Sequence, residues 1–415
     1  MATILAYTSP ALGNLYPMCA LLSALHERGH RIVLRTLARG VASGRRLGFD
    51  TAPIDECIES IEMTDWKATN GREALRVAFE VFGARAPLEV EDLGAAITAE
   101  APDALIVDPN TWGAAATAEA SGLPWATFYP YTPLLRSPGT PPFGPGMRPW
   151  PGPAGRIRDS LLRPLVMSAV NRAMVEPVNA IRTSLGLAEI QSAEEFVRRP
   201  PLMLVASAEP FQYPGFATNH APSQMIGPCE FDPPMTTGVR LDDIGVPIVL
   251  VTTSSDRQDD ENLVRVAIEA LADEQVHLVA TFPCGVPDGL ALPANATVTE
   301  FIPHGRVLDR AVCAITHGGM GVTQKALARG VPVCVVPYGR DQFEVARRVE
   351  VSRSGTRLAA RKLTARRLRV KTLQAMSMVE GAQRVAEGFA AAGGVARGAD
   401  LVERQLLPPT RQAPL

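Results

Sequence analysis

Short apolar runs alternate along this chain with longer stretches in which apolar residues recur every three or four positions. Thr3-Ile-Leu-Ala-Tyr7 is an apolar run of the length a buried parallel strand needs. The spacing of Leu21, Leu22 and Leu25 predicts a helix from about Pro17 to Arg28, with Pro17 in its first turn and Gly29 stopping it. Arg31-Ile-Val-Leu34 predicts the next strand. The pattern returns at Ala104-Leu-Ile-Val-Asp108, a helix from about Thr111 to Ala120, and Trp125-Ala-Thr-Phe128. Pro130 to Gly155 is rich in proline and glycine, and loops of that length are usually functional. Helical periodicity follows from about Arg156 to Leu185. Beyond a second Pro/Gly-rich segment, Gly227 to Gly245, come strands at Pro247–Val251, Val276–Ala280, Ala311–Ile315 and Val331–Val336, with a helix from Glu261 to Ala272. Strand and helix in alternation predict an α/β protein of two parallel-sheet halves facing a cleft. The division falls at 1–232 and 233–415, with the C-terminal helix free to cross back onto the first half.

Composition narrows the classes. The 415 residues correspond to two or three domains at about 150 residues each. Lys+Arg number 41 against 43 Asp+Glu, a net charge of −2, so no basic excess is available for a nucleic-acid partner. The basic run from Arg357 to Lys371 lacks interleaved aromatics and reads as a solvated helix face. The six cysteines form no CxxC pair and read as buried free thiols of a reducing compartment. The chain opens without a basic n-region and holds no apolar run near the roughly 18 residues of a membrane span, so a cytoplasmic location is expected. His26-Glu-Arg-Gly-His30 matches the HExxH zinc string, but Gly29 ends the helix between the two imidazoles and no zinc site is expected. No GxGxxG, GxxxxGK[ST] or GxSxG string is present.

The chemistry concentrates between Phe301 and Arg347. Thr316-His-Gly-Gly-Met-Gly-Val-Thr-Gln324 sits between a predicted strand and a predicted helix. Glycines there let the backbone approach a ligand closely, and helix N-terminal N–H groups favour an anion such as a phosphate. With Phe301-Ile-Pro-His304, Asp341-Gln342, Gly13-x-x-x-Pro17, Arg28 to Val33 and Asp103 to Gly122, this stretch resembles the GT-B, UDP-glycosyltransferase-like glycosyltransferases of family 1, most nearly the bacterial macrolide and polyketide enzymes.

That resemblance implies a two-domain GT-B fold and a metal-independent, inverting transfer of a sugar from a nucleotide diphosphate sugar to a hydrophobic acceptor, with no cofactor. Phe301, Ile302 and His304 would line the base pocket. His317, Gly318, Gly319, Gly321 and Val322 would surround the diphosphate, with Ser254 and Ser255 nearby. Asp341 and Gln342 would bind sugar hydroxyls. Trp66, Phe82, Trp112 and Tyr131 are the candidate acceptor contacts, placed on aromatic loops at 57–86 and 127–156.

The chain departs from the family pattern at two positions. Asn14 stands where the family carries the histidine that deprotonates the acceptor, and an amide takes no proton near neutral pH. Asp108 is then the candidate base with Asn14 positioning the acceptor, or the acceptor is a phenol, an amine or an activated carbon. A degenerate homologue that binds nucleotide sugars or assists a partner, and an epimerase or hydrolase, are the rival readings. Lys325 stands where UDP-sugar users carry a ribose-binding glutamate; Lys cannot accept a hydrogen bond, which favours dTDP over UDP. Asp341-Gln342 suits a hydroxyl-rich hexose and pulls the other way. A homodimer is left open.

Overall fold

The computed structural model describes residues 1–68, 70–216, 222–233, 239–287, 289–290 and 292–407. The first half runs β1 (Thr3–Tyr7), α1 (Leu12–Glu27), β2 (Arg31–Thr36), α2 (Val41–Arg46), β3 (Asp50–Pro53), α3 (Glu56–Ser60), α4 (Gly71–Glu100), β4 (Ala104–Val107), α5 (Trp112–Ala120), β5 (Trp125–Tyr129), α6 (Gly152–Ser184), α7 (Ala193–Val197), β6 (Leu202–Val205) and β7 (Ser223–Met225). Its strands pair in the order β3-β2-β1-β4-β5-β6-β7, all parallel.

The second half runs β8 (Ile248–Thr252), α8 (Asn262–Ala270), β9 (His277–Thr281), β10 (Ala296–Thr299), α9 (His304–Leu308), β11 (Ala311–Thr316), α10 (Met320–Ala328), β12 (Val333–Val335), α11 (Gln342–Val351), β13 (Gly355–Arg357), α12 (Ala365–Met376), α13 (Val379–Ala391) and α14 (Gly394–Leu406). These strands also pair in parallel, in the order β10-β9-β8-β11-β12-β13. Both sheets are sandwiched between helices, so their central strands are continuous apolar runs: β1, β4, β8 and β11 each carry buried Ile, Leu, Val or Ala at successive positions.

Strand order reverses between β1 and β4 in the first sheet and between β8 and β11 in the second. At such a switch point the neighbouring loops diverge to opposite faces, leaving a crevice at the strand C-termini where ligands bind. The segments after β1, β4, β8 and β11 therefore carry the site: Asp108, Ser254 and His317 lie in the loops, and Asn14 lies in the first turn of α1 that follows β1.

Four sequence expectations need revision. Helix α1 begins at Leu12, not Pro17; Pro17 lies in the second turn, where its missing N–H forfeits only the bond to Gly13. Most of the stretch 57–86, read as aromatic loops, belongs to the 30-residue helix α4, so Phe79 and Phe82 project from a rigid element. Arg357 lies at the end of β13 and lines the cleft, whereas Arg366, Arg367 and Arg369 do form the exposed face of α12. Four of the free cysteines are buried, but Cys57 and Cys284 are exposed. Of the segment Gly227–Gly245, residues 234–238 lie outside the described residues.

Helix α14 packs against the first sheet: Ala399, Leu401, Val402 and Leu406 share a core with Leu21, Leu22 and Leu25 of α1. Arg28 donates to Asp400 and Glu403, both at 2.7 Å, and His30 Nε2 meets Glu403 at 3.0 Å, so His30 is turned towards α14. The chain passes between the halves near Gly227 and again at Gly393 and Gly394. These two crossings touch: a Cβ on Gly227, whose φ is +83°, would stand 2.9 Å from Phe389 O and 3.6 Å from Gly394 N. Among the described residues, no helix is long and apolar enough to cross a membrane.

Candidate active site

On the first side of the cleft, Asp108 ends β4 and is fully buried. Its carboxylate accepts from Ser9 Oγ at 2.7 Å, Ser9 N at 3.2 Å, Asn110 N at 2.8 Å and Asn14 Nδ2 at 2.8 and 3.0 Å. Burial pushes its carboxyl up from the ordinary value, and these four donor groups pull it back. Asn14 also donates to Ser9 Oγ at 3.2 Å. With Nδ2 committed to Asp108 and Ser9, Asn14 offers its side-chain carbonyl to the cleft, which Asn14 lines and Asp108 does not. Asp108 is thus sealed behind Asn14.

The floor beside this network is aromatic. Trp112, the first residue of α5, meets Phe79 and Phe82 edge-on at 5.3 and 5.6 Å between ring centroids. Tyr131 donates to Asn110 Oδ1 at 2.7 Å. Trp66 lies in the loop before α4, with the Arg257 guanidinium 5.4 Å from its ring. Phe143 lines the cleft, while Phe128 belongs to the core and Trp150 is exposed away from it.

Across the cleft, β11 delivers His317 to the start of α10. Gly318 has φ of +100°, and a Cβ there would press to 2.9 Å from Gln342 Cβ. A Cβ on Gly319 would stand 2.5 Å from His317 Nε2. Gly319 caps α10, and Gly321 has open space where a side chain would project. The result is a bare helix N-terminus with free N–H groups beside an imidazole, which is an anion site. His317 Nδ1 lies 3.9 Å from Asp260 Oδ2 and, among the described residues, has no hydrogen-bond partner. Burial pushes this imidazole down and the Asp260 carboxyl up, so both favour their neutral forms. Ser254 is held by its N–H on Asp260 at 2.6 Å, and its Oγ accepts from Asp256 N at 3.2 Å.

Phe301, Ile302 and His304 follow β10. Ile302 belongs to the core beneath the cleft. His304 is paired with Thr281 Oγ1 at 3.1 Å, and burial with the nearby Lys325 charge pushes it down to about 4. Lys325 donates to Phe231 O and to Asp232 Oδ1, each at 2.5 Å. Asp232 also accepts from Gly305 N at 2.8 Å; burial would raise its carboxyl, but the Lys325 ammonium holds it below the usual range. Gln342 Oε1 accepts from Tyr338 N at 2.8 Å and Gly339 N at 3.1 Å, so only its amide NH2, shared with Gln258, is left for a ligand. Burial pushes the neighbouring Asp341 carboxyl up to about 6.

Several contacts bind the sides together, two of them at the cleft. Arg340 grips Asp65 with Nε and Nη2 at 2.8 and 2.9 Å and reaches Asp256 at 3.1 Å. Glu344 of α11 accepts from Gly144 N and Gly146 N of the long loop, both at 2.9 Å.

One cleft of about 2010 Å³ is lined by Asn14, Trp66, Phe82, Trp112, Tyr131, Ser254, Ser255, Phe301, Ile302, His304, His317, Gly319, Gly321, Val322, Lys325, Asp341 and Gln342. Only Asp108 and Gly318, of the residues singled out from sequence, stand behind its surface. Sequence reasoning missed Ser9, Asp232 and Arg340. Ser9 had a signal, a hydroxyl in the loop after β1; the other two act through partners distant in sequence, which spacing does not reveal. Among the described residues, no group of three or more His, Cys, Asp or Glu side chains is arranged to hold a metal ion.

Residues 265–396 match the family described as erythromycin biosynthesis protein CIII-like, C-terminal domain. The chain is 30% identical over 423 residues to 4'-demethylrebeccamycin synthase of Lentzea aerocolonigenes, covering 97% of this chain and 99% of that one. The crystal structure of the glycosyltransferase of kitacinnamycin superposes with a TM-score of 0.74 at 24% identity, over 98% of this chain and 99% of the other. The glycosyltransferase VinC in complex with dTDP superposes with a TM-score of 0.69 at 20% identity, over 97% and 99%.

Proposed function

Because the chain belongs to the GT-B natural-product glycosyltransferases of family 1, we propose that it performs an inverting, metal-independent transfer of a sugar from a dTDP-sugar to a flat aromatic acceptor. The observation that carries this reading is the pairing of two half-sites across one cleft. Asn14, its amide NH2 held by Asp108 and Ser9, lines the same cleft as the bare N-terminus of α10 with His317.

In the reaction the acceptor atom attacks the anomeric carbon as the bond to the diphosphate oxygen breaks. Negative charge grows on the leaving diphosphate, to which the α10 N–H groups and His317 would donate. Fixed donors there do the work a divalent cation would otherwise do. Asn14 Oδ1 accepts a hydrogen bond from the attacking O–H or N–H and orients it, and the acceptor's proton is released to solvent as the new bond to the anomeric carbon forms and the bond to the diphosphate oxygen breaks. Asp108 acts through Asn14: its oxygens are filled by donors and it has no exposed surface, so it is a positioning residue and not the direct base. General base catalysis is typically worth about 10²–10⁴-fold. A phenol or an aromatic N–H, already acidic, needs that help least, and this favours such acceptors over alcohols.

The donor reading rests on Lys325. Its ammonium is spent on Asp232 and Phe231 O and offers no acceptor to a ribose. A 2′-deoxyribose asks for one hydroxyl contact fewer, which supports dTDP; the dTDP held by VinC fits that reading.

The test is turnover of dTDP- and UDP-glucose with paired phenolic and alcoholic acceptors, resolving the anomeric configuration of the product. Product with inverted configuration, formed faster from dTDP-sugar and phenol, is expected. Retention of configuration, or preference for UDP-sugar and alcohol, would overturn the proposal.

A further inference from the structure

Arg85 projects from α4 one turn after Phe82 and lines the cleft, yet only 6% of it is exposed. A guanidinium carries five N–H donors in a planar fork. Among the described residues this one spends a single group, Nη2, on the carbonyl of Ile61, and its Nε is buried with no partner. Desolvation pulls its pKa down, and Glu89, Asp256 and Glu59 only offset that through space.

None of those carboxylates forms an ion pair with Arg85 among the described residues, and each has another partner. Glu89 is fully buried, accepts from Gly113 N at 2.9 Å through Oε2, and leaves Oε1 without a hydrogen-bond partner among the described residues; burial pushes its carboxyl up to about 8, which weakens it as a counter-charge. Asp256 receives Arg340 at 3.1 Å. Glu59 takes the N–H of Ala38. An unpaired buried cation is costly, and an aromatic pocket wall is a poor place for one unless a ligand supplies the counter-charge. Arginine matches planar carboxylates through two parallel N–H···O bonds.

We propose that Arg85 recognises an acidic oxygen on the acceptor, a carboxylate or an equally acidic enol, at the end of the aromatic floor made by Phe79, Phe82 and Trp112. This rests on the reading that the cleft seats an aromatic acceptor, and it adds a charged group to that acceptor. The other anion within the cleft is the donor diphosphate, but the cradle at His317 to Gly321 already supplies its donors, whereas Arg85 rises from the aromatic wall.

The test compares binding of 7-hydroxycoumarin and 7-hydroxycoumarin-3-carboxylate to the full chain and to Arg85→Met and Arg85→Lys, by isothermal titration. The wild type should bind the carboxylate at least about tenfold more tightly, as expected for a paired buried guanidinium. Arg85→Met should lose that preference without losing the neutral coumarin, and Arg85→Lys, which keeps a cation and guards against a folding defect, should retain part of it. Equal affinities in the wild type, or a preference that survives in Arg85→Met, would overturn the proposal. So would a weakened thermal shift by dTDP in a folded Arg85→Met protein, which would assign the guanidinium to the diphosphate. The two failures separate: no dTDP shift in the wild type strikes the donor reading, whereas equal coumarin affinities strike Arg85 alone.

Discussion

Asn14 Nδ2 donates to both carboxylate oxygens of Asp108, at 2.8 and 3.0 Å, inside a network that also holds Ser9. The amide is therefore fixed in one orientation, with its carbonyl turned to the cleft. A histidine at that position would place a ring nitrogen on the same carboxylate and leave the other free to take a proton.

Asn14→His should accordingly create a base. We expect turnover of alcohol acceptors to rise about 10²-fold, with phenols changing little. The pH profile should acquire a limb that falls as the new imidazole protonates, at a pKa held above the usual 6.5 by Asp108. Initial rates across pH on paired acceptors read both effects.

Asp108→Asn should disrupt the donors that converge on the carboxylate, since an amide NH2 would face N–H and O–H groups. A loss of about 1–3 kcal/mol in stability is expected from the unsatisfied groups, together with lower kcat at unchanged dTDP affinity. Denaturant melts and dTDP titration separate the two effects.

Lys325→Glu, combined with Asp232→Ala to remove the carboxylate it would repel, should restore an acceptor to the ribose pocket. Selectivity should shift towards UDP-sugars by about tenfold in kcat/KM, the worth of one hydrogen bond. Competition between dTDP- and UDP-glucose measures it.

Glu89 gives a pH prediction. Its carboxyl is raised by burial from 4.5 to about 8, so the folded chain holds a proton that the unfolded chain releases. Its contribution is present in full below the unfolded pKa and declines as pH rises from about 4.5 to about 8, because the folded state binds more protons across that window. Glu89→Gln stays neutral and should lose less stability between pH 5 and pH 8. Tm values of both proteins across that range check the slope.

Arg340→Ala should loosen the approach of the two sides, since Asp65 and Asp256 both lose their cation. A higher KM for acceptor is expected. The variant should also flatten the salt dependence of that KM, because ion pairs are screened.

The sequence revealed most where function depends on backbone. Glycines at 318 and 319 are required by φ and close approach, and they read directly as a cradle. Strand alternation located the switch-point loops that carry Asp108, Ser254 and His317 and the helix start that carries Asn14. Side chains that act through distant partners were not legible. Lys325 looked like a lost contact until Asp232, 93 positions away, was found against it. Helix α4 was not legible because its apolar positions face both α5 and the cleft, which blurs a single stripe. Asp108 was read as a base because sequence places it at a strand end but does not show the four donor groups around it.

The touching crossings at Gly227 and Gly393–Gly394 have a mechanical consequence. A single tether would let one half swing in any direction, whereas two strands meeting at one spot act as a hinge pin. Rotation about that pin is the motion that strains neither strand, and any such rotation that parts the two sides of the cleft must break the Arg340–Asp65 pair that joins them. Nicking the backbone between Pro233 and Val239 would leave α14 still docked on α1, and the severed halves would remain one particle.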